Sequence, residues 1–409
     1  MNTNSEEMLL SGTRIWKFTV DNRELGFLGI DSSVNGRSCG GLRYIQDVDA
    51  EEIAGLARAM TLKYGFLGLP QGGAKAGIPA VPGESARERK NRLEAFGKAL
   101  RPWLKNGEYF PGADMGVTTD DLGVVVKSAG IKLKPWRLGS ENSGFYTAAT
   151  VFAGIVAACR KRNRTIDTCS FALEGFGAVG SSLAGLIHEA GGRIVAVSNQ
   201  DAAYYSSQGL DIPALISRRD RDKKNSLSGL DGASEITHEE LLGLQVDILS
   251  LCARHNRITE ENADSISAWG IVSGANNPVT AEGEEILARK KIMCLPDFVT
   301  NSGGVLGGTM DFAGISNLRI ARFITDRFQP VYTDLFIESE KHDITIRAYA
   351  EQLAMDRHRR IKEESENSGI KKRAFQWGLS IYRAGLFPPV VMGRISMPYF
   401  RKLSVFRDY

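Results

Sequence analysis

Two lysines and an aspartate, each set among glycines, are the residues in this chain with the clearest capacity for chemistry. Lys75 lies within Leu69-Pro70-Gln71-Gly72-Gly73-Ala74-Lys75-Ala76-Gly77, where missing side chains let the backbone come close to a ligand. Lys63 ends the segment Met60-Thr61-Leu62-Lys63, twelve positions earlier. If both ammonium groups share a cleft, mutual repulsion and partial burial lower the pKa of one, which is how a lysine becomes a general base. By themselves the two fit a plainer role as exposed lysines of a flexible glycine loop. Asp114 sits in Pro111-Gly112-Ala113-Asp114-Met115-Gly116, a setting in which aspartate ordinarily accepts backbone N–H groups of its own turn.

A third glycine segment has a more specific pattern. Glu174-Gly175-Phe176-Gly177-Ala178-Val179-Gly180 fits G-x-G-x-x-G between an apolar strand-like run (Thr168–Leu173) and a helical one (Ser181–Ala190). Gly175 permits the tight turn, Gly177 lets the amides of Phe176, Ala178 and Val179 approach a pyrophosphate, and Gly180 allows helix to pack on strand. The helix N-terminus favours the negative charge. In this strand–loop–helix context the motif predicts dinucleotide binding. The next strand, Arg193–Ser198, ends at Asn199 rather than at the acidic residue that usually binds the ribose hydroxyls. NAD and NADP both remain open, with Asp201 close by.

These residues need a scaffold to hold them. Helical periodicity over Ala50–Lys63 predicts an amphipathic helix, followed by a glycine loop across Gly65–Gly77 and a second helix over Ala86–Leu104. The alanine-rich Thr147–Arg162 predicts a mostly buried helix. From Thr168 the alternation of strand, loop, helix and strand marks a βαβ unit and a parallel sheet. Val246–Leu251, Trp269–Ser273 and Ile292–Pro296 are apolar enough for further buried strands, while Arg218–Gly229 has the composition of a loop. The expected architecture is α/β in two domains with a cleft between them. The first, 1–144, is an α/β domain joined by C-terminal helices from about 335 to 409. The second, 145–334, is a Rossmann-type dinucleotide-binding domain.

Bulk properties narrow the function. A chain of 409 residues with 51 basic and 48 acidic side chains has no clustered basic face for nucleic acid. The five cysteines (Cys39, Cys159, Cys169, Cys252, Cys294) are far apart, as reduced thiols of a cytoplasmic protein are. The N-terminal segment with Glu6 and Glu7 lacks the form of a signal peptide. No apolar run approaches the roughly 20 residues that span a bilayer, and the histidines show no metal-ligand spacing. The aromatic, basic tail from Phe375 to Tyr409 suits packing on the first domain or a neighbouring subunit better than a membrane surface.

The order of these segments resembles the glutamate, leucine, phenylalanine and valine dehydrogenases. The resemblance runs from about Gly40 to Val305 and takes in Gly40-Gly41-Leu42-Arg43-Tyr44, Ile258-Thr259-Glu260-Glu261-Asn262-Ala263-Asp264, Gly274-Ala275-Asn276-Asn277-Pro278 and Leu295-Pro296-Asp297-Phe298-Val299-Thr300-Asn301-Ser302-Gly303-Gly304-Val305. It implies that Lys63 holds the substrate carboxylate, that Lys75 activates water, and that Asp114 exchanges protons with the substrate nitrogen. It also places Gly40, Gly41 and Asn301 beside the substrate, and Thr147 and Asn276 near the nicotinamide. The implied reaction is NAD(P)-dependent, reversible deamination of an amino acid to a 2-oxo acid and ammonia, by a homo-oligomer whose first domain is the substrate-binding and oligomerisation domain.

The departures bear on specificity. Glutamate-specific members have a lysine where this chain has Cys39, and a serine where it has Gly308. Both changes imply an apolar, roomy pocket for a branched or aromatic side chain. Ala76, Ala113 and the run Leu306-Gly307-Gly308-Thr309 also differ from the usual pattern. Two competing readings are a nucleotide-binding homologue without catalysis, and a Rossmann oxidoreductase acting on a 2-hydroxy acid. The second has no histidine near these segments to serve as its acid/base.

Overall fold

Two tight turns, Ser11-Gly12 and Asp21-Asn22, have positive φ at all four residues, the geometry that two-residue hairpins require. They fold the first thirty residues into an antiparallel meander of β1 (Thr3–Leu10), β2 (Thr13–Val20) and β3 (Arg23–Ile30). β2 and β3 are not apparent from periodicity, because each buries apolar residues on both faces, whereas β1 is largely exposed. Trp16, Phe18 and Leu28 enter one core while Ile15 and Phe27 enter another, which erases the expected alternation. The structure, a computed structural model, describes residues 3–132, 142–221, 227, 229–230, 232–367 and 389–406.

The chain divides into two units: Met1–Ser140 with Leu353–Ser396, and Glu141–Gln352 with Met397–Tyr409. In the first, the meander continues into β4 (Ser38–Ile45), α1 (Ala50–Leu67), β5 (Gly72–Pro79), α2 (Ala86–Ala99), α3 (Arg101–Asn106), β6 (Tyr109–Ala113) and α4 (Thr119–Ser128). The sheet order is β1-β2-β3-β5-β4-β6. β4 runs parallel to both β5 and β6, and the other pairs are antiparallel. Asp49 caps α1 by accepting from the Glu52 amide, and Gly68 ends it at φ 77°. The single helix expected over Ala86–Leu104 breaks at Leu100, where Pro102 opens α3.

The largest difference from the sequence reading is at Gly72–Gly77, which is strand rather than loop. A Cβ on Gly73 would lie 2.2 Å from the Thr61 amide, and one on Gly77 would lie 2.7 Å from Val48 Cγ2 and 2.9 Å from Ile53 Cδ1. The glycines therefore let α1 lie directly on the sheet, and Lys75 belongs to a rigid element.

The second unit begins with α5 (Ser143–Lys161) and alternates β7 (Ser170–Glu174), α6 (Ala178–Glu189), β8 (Arg193–Ser198), β9 (Ala203–Tyr205), α7 (Ile212–Arg221), β10 (Ser234–Ile236), α8 (His238–Gly243), β11 (Ile248–Leu251), β12 (Gly270–Val272), α9 (Ala281–Arg289) and β13 (Met293–Leu295). Its sheet order is β10-β9-β8-β7-β11-β12-β13, parallel from β8 to β13. Strand order reverses between β7 and β11, the switch point at whose carboxyl end such sheets bind ligands. The loop-like stretch expected over Arg218–Gly229 begins inside α7, and Lys223 and Lys224 lie outside the described residues.

Four helices follow: α10 (Asp297–Thr300), α11 (Gly303–Phe312), α12 (Asn317–Lys341) and α13 (Ile346–Asn367). The return to the first unit comes at Leu353 rather than near 335, because Tyr332, Leu335 and Phe336 are core residues of the second unit and Tyr332 donates to Thr150 O at 2.9 Å. Within the first unit α13 meets α1 where Gly65 has no side chain. A Cβ there would lie 2.2 Å from Ala354 O, and Arg357 donates to Phe66 O at 2.8 Å. The tail departs from expectation at its end. After α14 (Pro389–Arg401), Phe406 packs edge-on against Phe323 and Phe328 of α12 in the second unit. The stretch from Phe375 to Pro388 lies outside the described residues.

His358 of α13 is buried with Nε2 3.3 Å from Ser32 Oγ, which also meets Thr61 Oγ1 at 2.7 Å. Burial pushes its pKa down, opposed by Asp31 and reinforced by Lys362 and Arg58. A depressed folded pKa means that the unfolded chain binds the proton first. Stability from this site is therefore complete above about 6.5 and is lost as pH falls through the window below it. Between about pH 7.5 and about pH 5.5 the wild-type Tm should fall further than that of His358→Gln. Equal slopes in a thermal-melt series would contradict this.

Candidate functional site

In the first unit the site is built on three adjacent strands. β4 lies between β5 and β6, pairing Cys39 with Gly73 and Leu42 with Ala76 on one side and Gly41 with Gly112 on the other. Lys75 of β5 and Asp114, just beyond β6, meet across it. They can do so because β4 has no side chains at Gly40 and Gly41. A Cβ on Gly40 would lie 1.5 Å from Ala74 O, and one on Gly41 2.7 Å from Asp114 Cβ.

Lys75 Nζ donates to Asp114 Oδ2. Arg43 Nε donates to the same oxygen at 3.1 Å, and Arg43 Nη1 donates to Glu52 Oε1 in the first turn of α1. Asp114 Oδ1 accepts from the Met115 amide at 2.8 Å. The Arg43, Glu52 and Lys75 side chains are 3%, 6% and 4% exposed and Asp114 is 17% exposed, so this is a nearly dry cluster of two cations and two anions. Burial is the main force lowering the Lys75 pKa; Asp114 opposes it and Arg43 adds to it. Burial alone would raise the Asp114 pKa, but Arg43 and Lys75 outweigh it and hold the carboxyl well below the usual range. The cation pressing on Lys75 is thus Arg43, whereas the sequence reading expected Lys63, which is buried in α1 and is not among the strongest influences.

Cys39, at the start of the same strand, faces two aromatic hydroxyls. Tyr64 shares a hydrogen bond with its thiol, and Tyr109 donates to Gly40 O at 3.1 Å. Burial, then Cys39, pushes the pKa of both tyrosines well up, so both stay neutral.

In the second unit Gly175 has φ +100°, and a Cβ on Gly180 would lie 1.8 Å from Gly175 O. No side chain caps α6 at Gly177, and a Cβ there would meet nothing within 4 Å. Tight turn, close helix packing and an open cradle at the helix start fit a dinucleotide pyrophosphate. Phe176 is buried beside this loop. Asn199, past β8, spends its Oδ1 on the amides of Asp201 and Ala202, both at 2.9 Å. It shapes its own turn and brings no carboxylate to a ribose.

Asn301 follows α10 and is buried. Its Nδ2 donates to Ala275 O at 2.8 Å and Asn276 Oδ1 at 3.0 Å, leaving a buried Oδ1 without a partner. Thr147 Oγ1 donates to Ser143 O, and a Cβ on Gly304 would lie 2.6 Å from Thr147 Oγ1. Thr147 and α11 are therefore in close contact. A Cβ on Gly308 would meet nothing within 4 Å.

Comparison with known proteins gives the arrangement a family. The Glu/Leu/Phe/Val dehydrogenase dimerisation domain matches residues 19–130, and the Glutamate/Leucine/Phenylalanine/Valine dehydrogenase model matches 139–366. This chain belongs to that family. It is 30% identical over 363 residues to the NAD-specific glutamate dehydrogenase A of Halobacterium salinarum, spanning 84% of this chain and 82% of that one. Its fold is that of the hetero-hexameric glutamate dehydrogenase of Thermus thermophilus in a leucine-bound form (TM-score 0.73, 24% identity, 88% of each chain). The L-tryptophan dehydrogenase of Nostoc punctiforme has the same fold (TM-score 0.58, 23% identity, 87% of this chain and 96% of that one).

Within this dehydrogenase, sequence reasoning gave no role to several residues that hold the site. Arg43 and Glu52 are nine positions apart on different elements, and no spacing rule joins them. Asp297 accepts from Arg347 Nη2 at 2.9 Å and from the Asn277 amide at 2.8 Å, bracing the loop that carries Asn276. The one sequence signal for Arg43 and Asp297 is that each sits among apolar neighbours; Glu52, beside Glu51, has none.

Gly40 and Gly308 should differ sharply in what a side chain costs. Gly40→Ala forces a Cβ into a neighbouring strand and should cost at least the ~1–3 kcal/mol of ordinary overpacking. Gly308→Ala, in open space on a helix, should be neutral or stabilising by up to about 1 kcal/mol. Denaturant unfolding of the two variants measures both, and equal tolerance would contradict the packing described for β4.

Proposed function

We propose that the chain catalyses NAD(P)-dependent reversible oxidative deamination of an apolar L-amino acid to a 2-oxo acid and ammonia. The observation that supports this best is the buried Lys75–Asp114 pair. Amine chemistry needs a base that is neutral near working pH beside a carboxylate that is charged at rest and can accept a proton, and the environment favours both resting states. Lys63 provides a fixed cation for the substrate carboxylate. Asp114 Oδ1 has a lone pair beyond its bond to Met115 and can accept from the substrate nitrogen. Asn301 Oδ1, buried and unpartnered, is an acceptor available to the substrate.

The glycine loop of α6 holds the dinucleotide, NAD or NADP, with Thr147 and Asn276 orienting its nicotinamide end. The nicotinamide supplies the hydride acceptor for the substrate Cα–H. Lys75 then takes a proton from water as that water attacks the imine carbon. The proton passes through Asp114 to the carbinolamine nitrogen; Lys75 then takes the hydroxyl proton as the C=O bond forms, the C–N bond breaks and ammonia leaves. The name of the Halobacterium relative favours NAD. The dimerisation domain in the family description supports a homo-oligomer, and the hetero-hexameric Thermus relative supports an oligomeric assembly.

The preference for an apolar substrate rests on Cys39. In the glutamate enzymes the resemblance implies a lysine there, paired with the side-chain carboxylate. Here the position has a thiol between Tyr64 and Tyr109. Glutamate is the competing substrate, favoured by the names of the relatives, but its carboxylate would meet neutral hydroxyls and a thiol in place of an ammonium.

Reduction of NAD and NADP, followed at 340 nm with each of the twenty amino acids, tests the reading. A branched or aromatic amino acid should give the highest kcat/KM, with glutamate far below it. Lys75→Ala should lose about 10²-fold or more. Glutamate turned over as well as leucine or phenylalanine would overturn the substrate class, and no reduction with any amino acid would overturn the reaction.

A further inference from the structure

We propose that Arg43, anchored by Glu52, is the positioning residue of the reaction centre: a permanent counter-ion that fixes Asp114 in place while Lys75 passes between charged and neutral forms. The inference rests on the reaction proposed above and starts from a difficulty in it. A base must lose its proton, and when Lys75 does so Asp114 loses one of its two cations. A buried carboxylate without a partner is costly, so with Lys75 as sole partner the pair would hold the proton and Lys75 would be a poor base.

The geometry removes that difficulty. Arg43 Nε reaches the same Oδ2 that Lys75 uses, from the strand between β5 and β6. A guanidinium does not deprotonate in proteins and presents donors in a rigid fork. One arm of that fork holds Asp114 and the other holds Glu52, so Arg43 cannot swing away. Glu52 lies in the first turn of α1, where the helix dipole favours an anion. Oδ2 is therefore the anchored oxygen, and Oδ1, held only by the Met115 amide, is the one presented to the substrate nitrogen. Arg43 acts through Asp114 and Lys75.

The groups facing Lys75 are Asp114, Arg43 and Glu52, with opposite signs of influence: Arg43 lowers its pKa and Glu52 raises it. This gives a test that loss of packing cannot imitate. The amine reactivity of Lys75 is measured against pH by competitive labelling of the intact protein with acetic anhydride and peptide mass spectrometry. Arg43→Gln should move the Lys75 midpoint up by about one unit or more, and Glu52→Gln should move it down. Arg43→Lys, which keeps the charge but not the fork, should return the midpoint toward the wild-type value. In turnover, Arg43→Gln should lose at least about tenfold in kcat near neutral pH and recover much of it at alkaline pH, since one pKa unit is a tenfold change in the neutral fraction.

If Arg43→Gln does not fold, Glu52→Gln and Arg43→Lys still carry the comparison. A Lys75 midpoint that is unchanged in the variants, or that moves the same way in Arg43→Gln and Glu52→Gln, would overturn the proposal. Opposite midpoint shifts in a protein that reduces neither cofactor would uphold the role of Arg43 and overturn the reaction.

Discussion

One carboxylate oxygen, Asp114 Oδ2, receives both Lys75 and Arg43 in a place almost closed to water, and the first unit is arranged around that meeting. Two cations and two anions buried together carry a heavy desolvation cost, and only close contacts offset it. Those contacts demand that two strands reach each other over a third. That requirement explains Gly40 and Gly41 on the middle strand and the parallel run of β4 with both neighbours. α1 closes the cluster with Glu52 at its first turn and covers β5 through the glycines that border Lys75. A side chain at Gly73 would push the helix off the strand.

The second unit obeys a different constraint: it must present backbone amides, not side-chain charges. Its parallel strands end where their order reverses, and the glycines of the α6 loop leave that edge bare. The polar groups around it mostly serve the backbone. Asn199 shapes a turn, Asp297 braces the Asn277 amide with help from Arg347, and Asn301 ties down Ala275 and Asn276. Much of what is polar here holds the backbone of the loops that follow the strands.

The parts legible in the sequence were those with a period or a fixed spacing. The βαβ alternation and G-x-G-x-x-G placed β7, the loop and α6, because strand, turn and helix each leave a local signature. Lys75 and Asp114 were legible only through resemblance. A single charged residue has no period, and the contact between these two depends on strand order. Arg43 and Glu52 had no role at that stage for the same reason. The glycines around Lys75 were read as a mobile loop, since composition does not distinguish a residue that frees the backbone from one that admits a neighbouring helix. β2 and β3 do not stand out in the sequence because burial on both faces hides their alternation, although the Ser11-Gly12 and Asp21-Asn22 turns are in view.

The account's central claim is that this buried lysine–carboxylate centre handles nitrogen. The most direct test is the reverse reaction: oxidation of NADH or NADPH by 4-methyl-2-oxopentanoate or phenylpyruvate, followed with and without ammonium ion. Oxidation that requires ammonium and yields the amino acid is the predicted result. Oxidation that proceeds equally well without it and yields the 2-hydroxy acid would contradict the account.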